Sequence, residues 1–372
     1  MKLKFPKITI YDKYIFKQVT MASLVAVLLF TIVWIAPEML LNTIKGALSG
    51  EYGFKTAILI LIYDLPKILN STFPGGLLLG VLFTFDKLSK DSEMTIFRAV
   101  GMSFPRIIAP VVVLSLFFTA ICFVMGDRGT PHAAAKMQAI QGVVRSTQYI
   151  YTQKDETGHP LASVIVSKST DKNLENVIVL DFASGVYQDV HQLSNIYSAK
   201  SGYVYDDKWV LNDITNYKIS NDGIYIDISH LDKLNVLNGE AAKNAYTLMT
   251  YSTMKERDIT NRDLGNYVKL LKKERLTEEY NYNLNKYLQR FLRPFICVLL
   301  AILGALLGFS KPREQRLIGF TIGIGCIFLY YITLPCFDVL AEKGVFHPVI
   351  TATFPLLAFI IAIREFYKAK DL

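Results

Sequence analysis

Six long apolar runs, three on either side of a polar insert, constrain this chain more than anything else in it. They lie at 19–41, 59–85, 107–125, 295–309 with its flanks, 318–339 and 346–363. A helix rises about 1.5 Å per residue, so each run can cross a hydrocarbon core of about 30 Å, the fourth only by recruiting its flanks. Arg290 and Arg293 stand at the start of that fourth run. Composition agrees. Apolar residues make up 52% of the 372 and charged residues 19%, against about 25% charged in an ordinary soluble domain. The 23 Phe and 21 Tyr exclude a disordered chain. All four cysteines (Cys122, Cys297, Cys326, Cys336) fall inside apolar runs, so a disulfide scaffold is excluded.

The first run reads as an uncleaved anchor. Its N-terminal flank is basic, it exceeds 20 residues, and Ile35-Ala36-Pro37-Glu38 offers no small-x-small cleavage site. Lys and Arg in short segments set orientation. One side holds Lys2, Lys4, Lys7, Lys13 and Lys17, then Lys87, Lys90, Arg98 and Arg106, then Lys311, Arg313 and Arg316, and finally Arg364, Lys368 and Lys370. The short loops of the other side hold only Lys45, Lys55 and Lys343. Both termini are therefore expected in the cytosol, with the insert outside it.

The insert changes period. Short runs rich in Val, Ile, Tyr and Trp occur at 161–166, 177–182, 203–206, 209–213 and 217–220, and Ile alternates through 224–228. Thr157-Gly158, Ser184-Gly185, Ser201-Gly202 and Asn221-Asp222-Gly223 punctuate them as turns. This spacing predicts an all-β sandwich or partly open barrel. After Gly239 the pattern turns helical, with Leu264, Tyr267, Val268 and Leu271 on one face and a polar helix at 278–289 entering span four. The expected architecture is an integral-membrane bundle of six transmembrane helices, three plus three, with an inserted all-β domain. Its expected divisions are 1–126, 127–286 (with a helical connector near 260–286) and 287–372.

Motifs for catalysis are missing. The chain lacks G-x-x-x-x-G-K-[ST], H-E-x-x-H and G-x-S-x-G, and its five histidines have no metal spacing. No enzyme activity, metal or cofactor is expected, so any ATP-derived work must come from a partner.

Between spans two and three the chain reads Asp86-Lys87-Leu88-Ser89-Lys90-Asp91-Ser92-Glu93-Met94-Thr95-Ile96-Phe97-Arg98-Ala99-Val100-Gly101. Ser92 is an N-cap candidate and Gly101 a C′ stop, giving a helix of about two turns near 89–101. It is either an interfacial connector or a coupling helix that docks into a cytosolic motor. The stretch resembles the Ser-Glu-x-x-x-x-(Arg/Gln)-Ala-x-Gly segment of the LptF/LptG family, permease subunits that export lipopolysaccharide from the inner membrane. Asp12-Lys13-Tyr14-Ile15, Leu65-Pro66 with Phe73-Pro74, Ala199-x-x-Gly202 with Trp209-x-Leu211, and Leu264-Gly265-Asn266-Tyr267-Val268 with Tyr287 and Pro294 resemble further family segments in order. Trp34 and Pro37 depart from it where some members carry a lysine and a carboxylate, and Glu38 is the nearby acid.

The resemblance implies an inner-membrane permease with a periplasmic jelly-roll. It implies a second permease subunit (a paralogue or a copy of itself), a cytosolic ABC ATPase dimer and a periplasmic bridge protein of jelly-roll type. Lipopolysaccharide would be the cargo, in outer-membrane biogenesis; nucleic acid has no place in this reading. Ser92, Glu93, Phe97, Arg98 and Gly101 become the ATPase-coupling candidates. Lys67, Lys45, Arg290 and Arg293 become the lipid-binding candidates, since they are cations on the side where few belong. Lys286 approaches the same face. Lys67 also reads as a local ion pair with Asp64. Two other classes stay open: a membrane receptor with a ligand-sensing β domain, and a mechanotransmitting permease that moves no lipid. The pairs Gly76/Gly80, Gly304/Gly308 and Gly319/Gly323 predict close helix packing, within the chain or to a second subunit.

Overall fold

The computed structural model describes residues 9–35, 39–50, 52–141, 149–154, 159–170, 172–184, 191–220, 225–252, 254–309 and 316–370. The chain divides into two compact units, Met1–Gln141 with Asn281–Leu372, and Gly142–Tyr280.

The first unit is the helical bundle. Among the described residues six helical stretches are long and apolar enough to cross a membrane: Ile10–Val33, Phe54–Lys90, Phe104–Met137, Thr277–Gly308, Ile318–Glu342 and Pro348–Ala369. They belong to α1 (Ile10–Ile35), α3 (Phe54–Lys90), α5 and α6 (Phe104–Val124 and Thr130–Gln141, joined by a π-helical turn Met125–Gly129), α9 and α10 (Thr277–Leu292 and Ile296–Gly308), α11 (Arg316–Glu342) and α12 (Pro348–Ala369). A short α2 (Met39–Leu48) follows α1, and α4 (Glu93–Ala99) lies between α3 and α5. The chain is thus an integral-membrane bundle of six spans, three plus three, with a β domain inserted between them. The fourth span does recruit its polar flank, as its short apolar run required. Pro37 and Glu38 lie outside the described residues.

The glycine pairs act inside the chain. A Cβ on Gly76 would stand 2.8 Å from Val27 Cα, and one on Gly80 would overlap the Ser23 backbone, so α1 crosses α3 nearly backbone to backbone. On α10, a Cβ at Gly304 or Gly308 would lie 2.6 Å from the Leu78 or Leu82 carbonyl oxygen of α3. Gly319 meets the Leu307 carbonyl oxygen in the same way, and Gly323 meets the Leu82 side chain. Without a hydrophobic drive between helices in lipid, such close approach supplies the packing. Around these crossings Leu77, Val81, Phe85, Ile107, Val111 and Ala305 form one buried core, and Leu78, Leu82, Leu300, Leu303 and Tyr330 another.

The second unit is built on one six-stranded antiparallel sheet in sequential order β1–β6. The strands are Tyr149–Lys154, Pro160–Thr170, Asn173–Ser184, His191–Val204, Lys208–Ile219 and Tyr225–Asn238. This is an up-and-down order; no Greek-key crossover of the kind a jelly-roll needs joins the described strands. The strands are longer than the sequence pattern suggested. Residues 209–213 and 217–220 fall on the single strand β5, apart from Ser220 just beyond it, and 203–206 is the end of β4 running into a turn. Ser201-Gly202 is not a turn. It lies within β4, where Gly202 faces Leu211 across the ladder and a Cβ would stand 2.6 Å from Leu211 Cδ2. Thr157-Gly158, Gly185 and Asn221-Asp222-Gly223 lie outside the described residues.

A line of ladder interruptions crosses the sheet. Pairing skips Ser167 and Asn176 between β2 and β3, Asn176 and Lys200 between β3 and β4, Lys200 and Asp213 between β4 and β5, and Asp213 and Asp232 between β5 and β6. Asn176 and Asp213 have positive φ (51° and 54°), and Lys200 Nζ lies 2.9 Å from Asp213 Oδ2. Asn and Asp are the non-glycine residues that best tolerate this conformation, so the sequence itself builds a crease. On one side of it Trp209, fully buried, donates to Ala242 O of α7 (Gly239–Ser252) at 3.1 Å. Helix α8 (Asn261–Lys273) buries Leu264, Tyr267, Val268 and Leu271, the face its spacing predicted, and Thr260 caps it by accepting from Asp263 N.

Candidate functional site

Two regions of the bundle gather the side chains singled out by sequence. The first surrounds α4. Its C-terminus is a Schellman closure: Gly101 N–H donates to Arg98 O (2.9 Å), Met102 N–H to Phe97 O (3.1 Å), and Gly101 has φ +87°. Its N-terminus corrects the expected cap. Ser92 has φ 62° and its side chain makes no capping bond, because the left-handed backbone turns the hydroxyl away from the first amides. Met94 is buried, and Phe97 packs edge-on to Tyr11 of α1 at 4.7 Å. The Tyr14 hydroxyl donates to the Glu93 carboxylate, 2.9 Å from each oxygen. Arg106 holds Asp12 with two bonds of 2.7 and 2.8 Å. Arg98 lies over the Phe309 ring at 5.6 Å, with Lys370 over the same ring at 5.9 Å. The other face is open: Ile96 is 58% and Val100 78% exposed. Met94 and Phe97 face inward, whereas Val100, a further turn along, does not.

The second region lies toward the opposite end of α3. Lys67 stands 3.7 Å from Asp64, the i, i+3 pair its spacing predicted. Leu78 faces Gly304 and Leu82 faces Gly308, so α3 and α10 run parallel with a constant offset. Lys67 and Arg293 therefore lie toward the same end of the two helices. Arg293, exposed, donates to Gln289 Oε1, and Arg290 is half-buried one turn away. Lys45, exposed, stands on α2.

Sequence reasoning missed the centre of this region. Asp338 of α11, 8% exposed, accepts from Asn285 Nδ2 and Gln289 Nε2 at 2.8 Å and from Lys286 Nζ. Thr351 of α12 donates to Asn285 Oδ1 at 3.0 Å. A carboxylate inside a membrane bundle persists only when paired and hydrogen-bonded, and its three donors Asn285, Lys286 and Gln289 belong to the polar flank of span four. A lone Asp inside an apolar run was the available signal. Also missed were Arg128, in the π-helical turn, and Lys136, over the Tyr63 ring at 5.9 Å. That turn lies beside α3, with Gly129 facing Pro66 and Gly126 facing Asn70. Among the described residues no cluster of three or more His, Cys, Asp or Glu could hold a metal ion.

The sheet adds an apolar surface. Val164, Val166, Val177, Val179 and Ala199 are buried on one face. On the other, Ile150 pairs with Ile165 and Ile165 with Ile178, and Ile150 and Ile178 are 65% and 37% exposed. A sheet apolar on both faces needs cover on both.

The family model described as lipopolysaccharide export system permease LptF/LptG matches residues 13–368. The lipopolysaccharide export system permease protein LptG of Haemophilus influenzae is 24% identical over 229 residues, 60% of this chain and 62% of that protein. The corresponding protein LptF of Escherichia coli K12 is 28% identical over 102 residues, 27% of this chain and 28% of its own. The matched part thus spans less than two thirds of these relatives. With six spans, an inserted β domain and a match reaching nearly from end to end, the chain belongs to the LptF/LptG family of lipopolysaccharide export system permeases.

Proposed function

We propose that this chain is a permease subunit of an ATP-driven lipopolysaccharide exporter in the bacterial inner membrane. It pairs with a second family member or with itself, draws energy from a cytosolic ABC ATPase dimer and passes lipid toward a periplasmic bridge protein. The carrying observation is the export-permease match from 13 to 368 over a six-span apolar bundle, with Lys67 and Arg293 toward the same end of two parallel helices. A lipid with several negative charges needs several cations at one depth, and each contributes about 1 kcal/mol at an anionic surface.

In this reading the α4 end is cytosolic, as the Lys and Arg distribution favours, and the open face around Ile96, Arg98 and Val100 receives the ATPase. The cations at the other end hold the lipid headgroup as it enters from the outer leaflet. Its acyl chains, at about 0.8 kcal/mol per exposed CH₂, then need an apolar shelter, which the face carrying Ile150, Ile165 and Ile178 supplies. The test is photocrosslinking from position 67 to radiolabelled lipopolysaccharide in membranes, with and without ATP. Crosslinks that form and then deplete with ATP support export; an absence of lipid at position 67 while an ATPase remains bound favours the mechanotransmitting alternative.

A further inference from the structure

On the reading that α4 docks the ATPase, we propose that Tyr14 is a positioning residue that joins α4 to the first turns of span one and makes α1 a lever pivoting on α3. The tie is built from both sides. Tyr14 donates to Glu93, Tyr11 packs on Phe97, and Met94 is buried in one core with Ile15 and Val19. Arg106 grips Asp12, and Tyr11 donates to Ile107 O at 2.8 Å, so the start of α5 moves with the same group. Load applied to the open face of α4 therefore reaches α1 directly.

The pivot is the crossing of α1 over α3. At Gly76 and Gly80 the two backbones approach at Val27 and Ser23, with only those two small side chains at the crossing. Helix α1 extends about 14 Å from Ser23 to Tyr14 on one side and about 18 Å to Ile35 on the other. On the far arm Leu28, Leu29, Ile32 and Val33 are 55–67% exposed, Phe30 packs beside Gly75, and among the described residues the polar contact to α3 is the 3.2 Å pair Thr31–Thr72. A rigid helix so supported carries displacement of the α4 end to the opposite end with reversed sign and similar size.

The protein is tested as the complete transporter purified with its ATPase into lipid nanodiscs, in a background without native cysteines. Spin-label distances are read for Ile32→Cys with Leu59→Cys on the far arm and Phe16→Cys with Lys87→Cys on the near arm, without nucleotide and with ATP–vanadate. Nucleotide should move the two distances in opposite directions. Tyr14→Phe, which deletes only the hydroxyl, should cut the far-arm shift at least twofold while the nucleotide-free distance and ATPase co-purification stay unchanged. A full far-arm shift in Tyr14→Phe overturns the role of Tyr14. Shifts of the same sign, or none with the ATPase bound, overturn the lever. Failure of any ATPase to co-purify with the parent protein is a different result, one that overturns the functional reading beneath it.

Discussion

Lys67 shows how one side chain can satisfy two accounts at once. Its ion pair with Asp64 is partly exposed, and such pairs contribute about 0–1 kcal/mol. A phosphate contact is worth a similar amount, so stability alone does not separate them. Charge reversal does. With the photoprobe moved to position 290, Lys67→Glu should weaken lipopolysaccharide crosslinking about fivefold or more, Lys67→Ala less, and Lys67→Glu with Arg293→Glu several-fold further, since each lost contact of about 1 kcal/mol is near a factor of five. Protein level should stay near that of the parent. Unchanged crosslinking in Lys67→Glu would leave the ion pair as its whole role. Asp338 is the opposite case. Asp338→Leu leaves Lys286 without its carboxylate acceptor in a half-dry site, a loss of about 3–5 kcal/mol, whereas Asp338→Asn keeps an acceptor oxygen and should cost clearly less. Thermal unfolding in detergent orders the two.

Among the elements, α4 was the best announced by sequence. Gly101 had to supply a left-handed residue after two helical turns, and it does. Gly101→Ala should therefore cost about 1 kcal/mol and loosen α4, seen as faster hydrogen exchange at Phe97 to Met102. The Ser92 cap was misjudged because side-chain type predicts a cap only if the backbone is extended there, and Ser92 is not. The strands were read in part. Val and Ile runs marked β2 and β3; β1 went unread despite Tyr149, Ile150 and Tyr151, and the start of β4, His191–Asn195, is too polar to stand out. The Asp338 network was illegible for another reason: its partners at 285, 286, 289 and 351 meet only after three spans have packed. The glycine pairs were visible as close-packing signals, but only the fold shows that each meets a neighbour in the same chain. Gly304→Val should accordingly disrupt the α3–α10 contact by 2 kcal/mol or more, of the order of core overpacking, read as a lowered unfolding temperature.

At the scale of the molecule, the sequence foretold six spans and an insert because lipid allows few alternatives to a helix that satisfies its own backbone. Orientation rests on charge and is checked by labelling. Lys208→Cys, at an exposed position, should react with an impermeant thiol reagent from the periplasm, and Val100→Cys only after the inner membrane is opened. Ser163, 8% exposed, is a poor reporter of sidedness. The reverse pattern would invert the topology and remove α4 from the reach of any cytosolic ATPase.

The crease through Asn176 and Asp213 also bears on how this chain avoids its own kind. Strand β6 lies at the edge of the sheet, 14 residues long, with Ile226 and Ile228 exposed. A straight, apolar edge of that length would recruit stray strands from other chains during synthesis and assembly. Asp227 and Asp232 set two charges along that border, Asp232 opposite the interruption at Asp213, and a strand that joined there would have to accommodate both.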